Sequence, residues 1–428
     1  MHGLWKDRRK YAYTVSSYMS AFAVAYMIIR GSVAPNDKSV ETEVVTSLKK
    51  DAFFNDYSVF VDKTTNFSSI VTDSRLSRAY DASYPNFDWC STSYNKASPT
   101  GLLYVKTPKA ASSTTAGIAL RISQRLPRAQ NPQRTVSCNA HVEHIPDYKV
   151  GNKYGNRDKT KSFLFATVRD PAKRAISRIF FGDVSLNKHE PTDENILRWL
   201  SNSDSQKGAV SPGKGGFQLA YLSLTPIRPY SAWTSQKVAE IESSDTDNEV
   251  LDPNAVHADI KRIIDQYDFL IVVERFDESL VAMQLLLDLS PTDFLYLTSK
   301  HAGDYWMNRK GKCVQLHETF VSRAVAKHLD SPMWYAQNYG DYLLHEAAKQ
   351  SLDLTIQQLG QHRFQQALDE FILLKERADE ECSQQAIFPC SPTGKPQSKL
   401  ASTHCYQRDW GCGYPCLDKF VDEGSITV

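Results

Sequence analysis

Leu102-Leu103-Tyr104-Val105-Lys106-Thr107-Pro108-Lys109-Ala110-Ala111-Ser112-Ser113-Thr114-Thr115, continued by Ala116-Gly117-Ile118-Ala119-Leu120-Arg121-Ile122, is the stretch on which the reading of the fold turns. An apolar run ends in a short loop carrying Lys109 and the hydroxyls of Ser112 to Thr115, and good helix formers follow. The pattern predicts a buried strand that delivers backbone N–H groups, a lysine and hydroxyls to a helix N-terminus. First-turn N–H groups lack intrahelical acceptors and the helix dipole is positive there, so such a place attracts phosphate or sulfate. Taken alone, the loop reads equally as an ordinary βα turn with an N-capping serine.

A second strand-to-helix passage breaks the tie: Phe163-Leu164-Phe165-Ala166-Thr167-Val168-Arg169-Asp170-Pro171-Ala172-Lys173-Arg174-Ala175-Ile176-Ser177-Arg178. Arg169 leaves the strand end, Pro171 suits a first helical turn, and Ser177 follows two turns later. A guanidinium beside a hydroxyl suits a second phosphate. The plainer alternative is a basic surface helix capped by Asp170. Phe269–Val273 is a third apolar run and Phe294–Leu297 a fourth candidate strand. Helical patterns cover 114–126, 171–181, 191–201, 256–267 and 277–289. Strands alternating with helices predict an α/β domain with a mostly parallel sheet, whose ligands sit at the carboxyl ends of its strands. Long helical patterns return over 339–354 and 364–381, whereas 203–256 reads as an irregular insertion or substrate-side loop.

The chain of 428 residues, 41% hydrophobic and 11% aromatic, is long enough for one large domain with extensions. A net charge of +1 gives no general attraction to nucleic acid, so any anion site must be a local cluster. Residues 1–10 carry Lys6, Arg8, Arg9 and Lys10, and Tyr11 to Ile29 holds no charge. As a helix that run spans roughly 28 Å, close to the hydrocarbon thickness of a bilayer. The expected order is a cytosolic tail (1–10), a signal-anchor helix (11–29), and a stem and lead-in (30–98). The main α/β domain follows (99–381), then a tail (382–428). Basic residues before the span place the bulk of the chain in a lumen. A cleaved signal peptide ending near Ser32-Val33-Ala34 is the competing reading. Asn66-Phe67-Ser68 is a glycosylation sequon if lumenal. Five of the eight cysteines (Cys382, Cys390, Cys405, Cys412 and Cys416) lie in the tail, without paired zinc-binding halves. Disulfides fit a lumenal compartment, and the odd number leaves one to pair with Cys90, Cys138 or Cys313.

The Lys109 loop lacks the paired glycines of a triphosphate-binding Gly-x-x-x-x-Gly-Lys-Ser/Thr, and Gly213-Lys214-Gly215-Gly216 follows no strand. Pro-Lys-x-x-Ser-x-Thr after one strand, then Arg-Asp-Pro with a serine eight residues beyond the arginine, resembles the Golgi-type carbohydrate sulfotransferases. The nearest branch is that of the galactose 3-O- and uronyl 2-O-sulfotransferases. Val273-Glu274-Arg275-Phe276-Asp277-Glu278-Ser279-Leu280 and Phe294-Leu295-Tyr296-Leu297 add to the resemblance, which covers roughly residues 100–380. The fold expected is α/β, a P-loop-NTPase-like, mostly parallel sheet flanked by helices, with a helical C-terminal part and a Cys-rich tail.

The resemblance implies 3′-phosphoadenosine 5′-phosphosulfate (PAPS) as co-substrate, a glycan acceptor and no metal. It places the 5′-phosphosulfate on Lys109, Ala110, Ala111, Ser112, Ser113, Thr114 and Thr115, and the 3′-phosphate on Arg169 and Ser177. It also implies a type II Golgi membrane protein with a lumenal catalytic domain. An acceptor hydroxyl needs a general base, and Cys138-Asn139-Ala140-His141-Val142-Glu143-His144 supplies His141, with His144 and Glu143 as alternatives. Arg309-Lys310-Gly311-Lys312, a basic loop expected before a helix, either closes over the nucleotide or is a solvated turn. Asp277 is expected to cap the helix beginning at Glu278. Two other functions stay open: a P-loop-type kinase, and a catalytically silent lumenal glycan-binding protein on the same fold.

Overall fold

Gly101–Val105 forms strand β1, buried along its whole length. The computed structural model describes residues 74–81, 98–130, 140–144, 150–201, 216–225, 253–297, 303–308, 310–385, 389–397 and 414–423. All of these fall in one unit, Ser69–Val428. The Tyr11–Ile29 run, the Asn66 sequon, Arg309, and Cys90, Cys138, Cys405 and Cys412 lie outside the described residues. Among the described residues, no helix is long and apolar enough to cross a membrane.

After β1 come helix α1 (Ser112–Gln130), strand β2 (Ala140–Glu143), the short α2 (Val150–Tyr154) and β3 (Ser162–Val168). Helix α3 (Pro171–Ile179) runs directly into a π-helical segment, Phe180–Leu186. Then follow α4 (Asp193–Ser201), α5 (Phe217–Leu222), α6 (Pro253–Gln266), β4 (Phe269–Val272) and α7 (Phe276–Leu286). A hairpin of β5 (Tyr305–Met307) and β6 (Cys313–Gln315) precedes α8 (Arg323–Leu329) and α9 (Pro332–Gln337). Two long helices, α10 (Tyr339–Leu359) and α11 (Gln361–Cys382), and then α12 (Tyr414–Glu423) complete the order.

Four strands make one parallel sheet in the order β2-β1-β3-β4. β1, β3 and β4 are buried at every residue, as expected of parallel strands covered on both faces. Helix α1 packs on β1 and β2, and α10 packs on β3 and β4. Within the sheet Tyr104 stacks on Phe165, ring centroids 4.8 Å apart, and its hydroxyl lies 3.1 Å from Thr167 Oγ1. The chain moves from β1 outward to β2, then back across β1 to β3. The strand order therefore reverses between β1 and β3, and the loops leaving those two strands diverge around a crevice, the usual ligand position in such sheets.

The result is an α/β fold with a small parallel sheet flanked by helices, mostly helical by residue count. Part of the lead-in belongs to it. Tyr80 is fully buried, its ring 4.9 Å from that of Phe269 and its backbone N–H donating to Thr355 Oγ1 on α10.

Several sequence expectations are corrected. Phe294–Leu297 is not a strand. Ser290 and Asp293 form a capping box over the turn Pro291–Phe294, and the buried Arg121 guanidinium donates to the Leu295 and Thr292 carbonyls. The fourth strand is instead Ala140–Glu143, an edge strand of four residues, too short for its alternation to stand out as a strand. Lys310 and Gly311 sit in the turn of the β5–β6 hairpin, where Gly311 takes a φ of +71°, and helix resumes only at Arg323. Asp277 is not a cap. Helix α7 starts at Phe276, two residues before Glu278, and the Asp277 carboxylate accepts from the Tyr296 hydroxyl at 2.7 Å.

Two disulfides are present among the described residues, Cys313–Cys390 and Cys382–Cys416. The first ties the hairpin to the tail, and the second ties the end of α11 to α12.

Candidate anion-binding cleft

The loop after β1 is held in an unusual backbone conformation. Lys109 and Ala111 take φ of +65° and +50°, on either side of Ala110. Left-handed non-glycine residues cost about 1–2 kcal/mol each, and alternation of this kind turns successive N–H groups toward one concavity. The loop is pinned from within. Thr115, at the first turn of α1, donates both its N–H and its hydroxyl to the Ala111 carbonyl, each at 3.1 Å. The first turn of α1 carries no acidic residue, so its dipole and hydroxyls stay available to an anion.

A cleft of about 630 Å³ opens over this loop. One side is Pro108, Lys109, Ala111, Ser112, Ser113 and Thr114; the other is Arg169 after β3 with Ser177 and Arg178 on α3. His144 stands at the end of β2. Phe181, Gly182 and Leu186 from the π-helical segment, Asn187 just after it and Trp306 of β5 also line it. Among the described residues, three cations, four hydroxyls and no carboxylate line it, a donor set suited to an anionic ligand.

The cations are held rather than merely nearby. Arg169 donates from Nη1 to the Lys109 carbonyl at 3.0 Å, while its buried Nε–H has no hydrogen-bond partner among the described residues. Burial pushes the Arg169 pKa below its ordinary value, opposed by the charges of Glu274 and Asp170. Arg178 is likewise lowered by burial, against Asp183. A cation disfavoured by its surroundings gains from meeting an anion. Lys109 Nζ lies 4.2 Å from the centroid of the Phe181 ring, and Trp306 packs edge-on against the same ring at 5.3 Å.

The π-helical segment shapes this wall. The Asn187 N–H bonds the Gly182 carbonyl five residues back, which widens the turn where α3 ends. Glycine at 182 leaves room for the Arg178 guanidinium, which an added Cβ, 1.7 Å from its Nη1, would displace. At the start of α3, Asp170 caps the helix by accepting from the Lys173 N–H at 2.8 Å, with Pro171 in the first turn. The helix is aspartate-capped but is not a surface helix, since Pro171, Arg174, Ala175, Ile176 and Ile179 are buried; Arg169, just before the cap, lines the cleft.

The imidazole of His144 has a defined tautomer. Its Nδ1 lies 2.7 Å from the Lys106 carbonyl, which can only accept, so Nδ1 carries the proton and the lone pair of the neutral ring is on Nε2. The same carbonyl accepts from the buried Tyr221 hydroxyl at 3.1 Å. His141 and Glu143 lie within β2, level with Leu103 and Val105.

The structure therefore gathers Lys109, Ala111, Ser112, Ser113, Thr114, His144, Arg169 and Ser177 into one cleft. Ala110 and Thr115 are buried beneath it, and Lys310 is exposed at the hairpin turn and does not line it. Arg178, Phe181, Gly182, Leu186, Asn187 and Trp306 carried no assigned role in the sequence. Arg178 could have been found as the second guanidinium beside Ser177; the π-helical residues gave no periodic signal. Among the described residues, no group of three or more His, Cys, Asp or Glu is arranged to hold a metal ion. No protein-family model, curated protein or solved structure matches the chain.

Proposed function

We propose that the chain is a PAPS-dependent sulfotransferase acting on a glycan hydroxyl. The observation that carries this reading is the meeting of Lys109, Arg169 and Ser177 in one cleft. Two anion-binding elements on opposite sides of a strand-order reversal suit a nucleotide phosphorylated at both 3′ and 5′ positions. We read β1, its loop and α1 as a P-loop-type unit in which left-handed Lys109 and Ala111 stand where glycines usually serve. A magnesium–triphosphate reading fits less well, since the described lining offers no carboxylate to hold the ion through its water shell.

In the proposed reaction an acceptor hydroxyl oxygen attacks the sulfur of PAPS. The new O–S bond forms as the bond from sulfur to the bridging phosphate oxygen breaks. The hydroxyl proton passes to His144 Nε2, and adenosine 3′,5′-bisphosphate (3′,5′-ADP) leaves with the bonding electron pair. Lys109 and the N-terminus of α1 meet the charge on the departing oxygen, and alignment supplies much of the rest. The base is His144 rather than His141 in this account, because His144 lines the cleft with its lone pair on Nε2. The disulfides support a lumenal, oxidising compartment, and with it the Golgi type II placement.

The test is transfer of radiolabelled sulfate from PAPS across a panel of glycans, comparing wild type with Lys109→Ala. Label on an acceptor that disappears in the variant supports the reading. Equal transfer by the variant would remove Lys109 from the chemistry.

A further inference from the structure

We infer that Gln218 is a positioning residue that sets the Arg169 side of the cleft. Val168 is the last residue of β3, paired with Val272 of β4, and at Arg169 the ladder has run out. The Gln218 side chain supplies what the next strand residue would have given. Its Oε1 accepts from the Arg169 N–H at 2.9 Å, and its Nε2 donates to the Arg169 carbonyl at 2.7 Å. Gln218 is fully buried, so both bonds are shielded from competing water.

The clamp is itself fixed. Asp341, fully buried at the start of α10, accepts from the N–H groups of Phe217 at 3.0 Å and Leu219 at 2.8 Å, one on each side of Gln218. Gly216, at a φ of +134°, permits that approach, since an added Cβ would lie 2.4 Å from the Asp341 carboxylate. The buried Arg174 guanidinium lies 4.1 Å from the centroid of the Phe217 ring and near enough to Asp341 to offset its charge. The sequence Asp341, α5, Gln218, Arg169 backbone, Arg169 Nη1, Lys109 carbonyl is thus a continuous set of contacts ending at the anion loop. Residues 203–256 were expected to be an irregular insertion or a substrate-side loop; within them, helix α5 supports the backbone of Arg169.

The inference rests on the sulfotransferase reading only for the choice of probe. Gln218→Met keeps the side-chain length and removes both hydrogen bonds. The expected result is a Kd for 3′,5′-ADP weaker by about tenfold or more, as the loss of two such bonds allows. The KM for PAPS rises in parallel while the KM for acceptor stays unchanged, a split that general loosening of the fold would not give. Gln218→Glu, which can accept from the Arg169 N–H but cannot donate to its carbonyl, falls between the two. Unchanged 3′,5′-ADP affinity in Gln218→Met overturns the inference. Hydrogen exchange on the wild type gives a second measurement should the variants not fold. The Arg169 amide is expected to be protected without ligand, and exchange at the rate of an open loop overturns the inference. If wild type ignores 3′,5′-ADP, the donor reading has failed, and the Arg169 exchange rate alone decides the role of Gln218.

Discussion

The Arg169 guanidinium donates to the Lys109 carbonyl at 3.0 Å, joining two loops 60 residues apart in the chain. Both loops leave parallel strands at the point where the sheet order reverses, so this single bond spans the crevice that the topology creates. It also explains why the Lys109 backbone can hold a left-handed conformation: the carbonyl that this conformation turns outward has a charged donor waiting for it.

Strain and function are separable at Lys109. Lys109→Gly removes the left-handed penalty, offset in part by glycine's freedom in the unfolded chain, and it removes the cation over Phe181. We expect stability to be kept or raised by at most about 1 kcal/mol. Sulfate transfer falls by about 10²–10³-fold, the usual loss for a group stabilising a departing charge. Paired chemical melts and single-turnover transfer measure the two effects. A large loss of stability with turnover kept would contradict the account.

His144 should outrank His141 in catalysis. His144→Ala is expected to lower kcat by about 10²–10⁴-fold, the range of general-base contributions, with the 3′,5′-ADP Kd nearly unchanged. His141→Ala is expected to leave kcat within a few-fold. The reverse ranking returns the base to His141.

How far the sequence alone could go is visible in these two histidines. Apolar runs of β-branched and aromatic residues announced β1, β3 and β4 to within a residue or two, because a strand buried on both faces leaves no other pattern. Ala140–Glu143 showed no such run, and without the knowledge that it was a strand the place of His141 within it and of His144 just past its end had no meaning. Lys109, Arg169 and Ser177 were legible because helix N-termini and strand ends have local signatures. Gln218, Asp341 and Trp306 were not, because each reaches the site through contacts 49 to 125 residues away, which no local period records.

Acid should weaken the support beneath Arg169. Glu274 accepts from the Asp170 N–H at 3.2 Å and from His345 Nε2 at 2.9 Å, and its charge faces Arg169. Burial raises its pKa, but the His345 bond and charge and the N–H donors outweigh this and leave it below the ordinary 4.5. A carboxylate with a depressed folded-state pKa stabilises above its unfolded value and loses that contribution as pH falls through the folded one. The Tm difference between wild type and Glu274→Gln is therefore expected to be constant near neutrality and to shrink below about pH 4.5. A difference that grows on acidification would contradict the sign.

The Cys313–Cys390 bridge closes a sequence separation of 77 residues, and the chain-entropy model gives it about 4 kcal/mol of stabilisation. Cys313→Ser is expected to lower the Tm. Because β5 carries Trp306 against Phe181 at the cleft wall, the variant should also bind 3′,5′-ADP more weakly at temperatures where it is still folded. Affinity unchanged in folded protein would show that the hairpin keeps its place without the bridge.

Calorimetric binding of 3′,5′-ADP beside 5′-ADP and magnesium–ATP tests the central claim most directly. Two anion sites across the β1–β3 crevice predict that 3′,5′-ADP binds at least tenfold more tightly than 5′-ADP, without need of magnesium, and that Arg169→Ala erases the difference. Tighter binding of magnesium–ATP than of 3′,5′-ADP would contradict it.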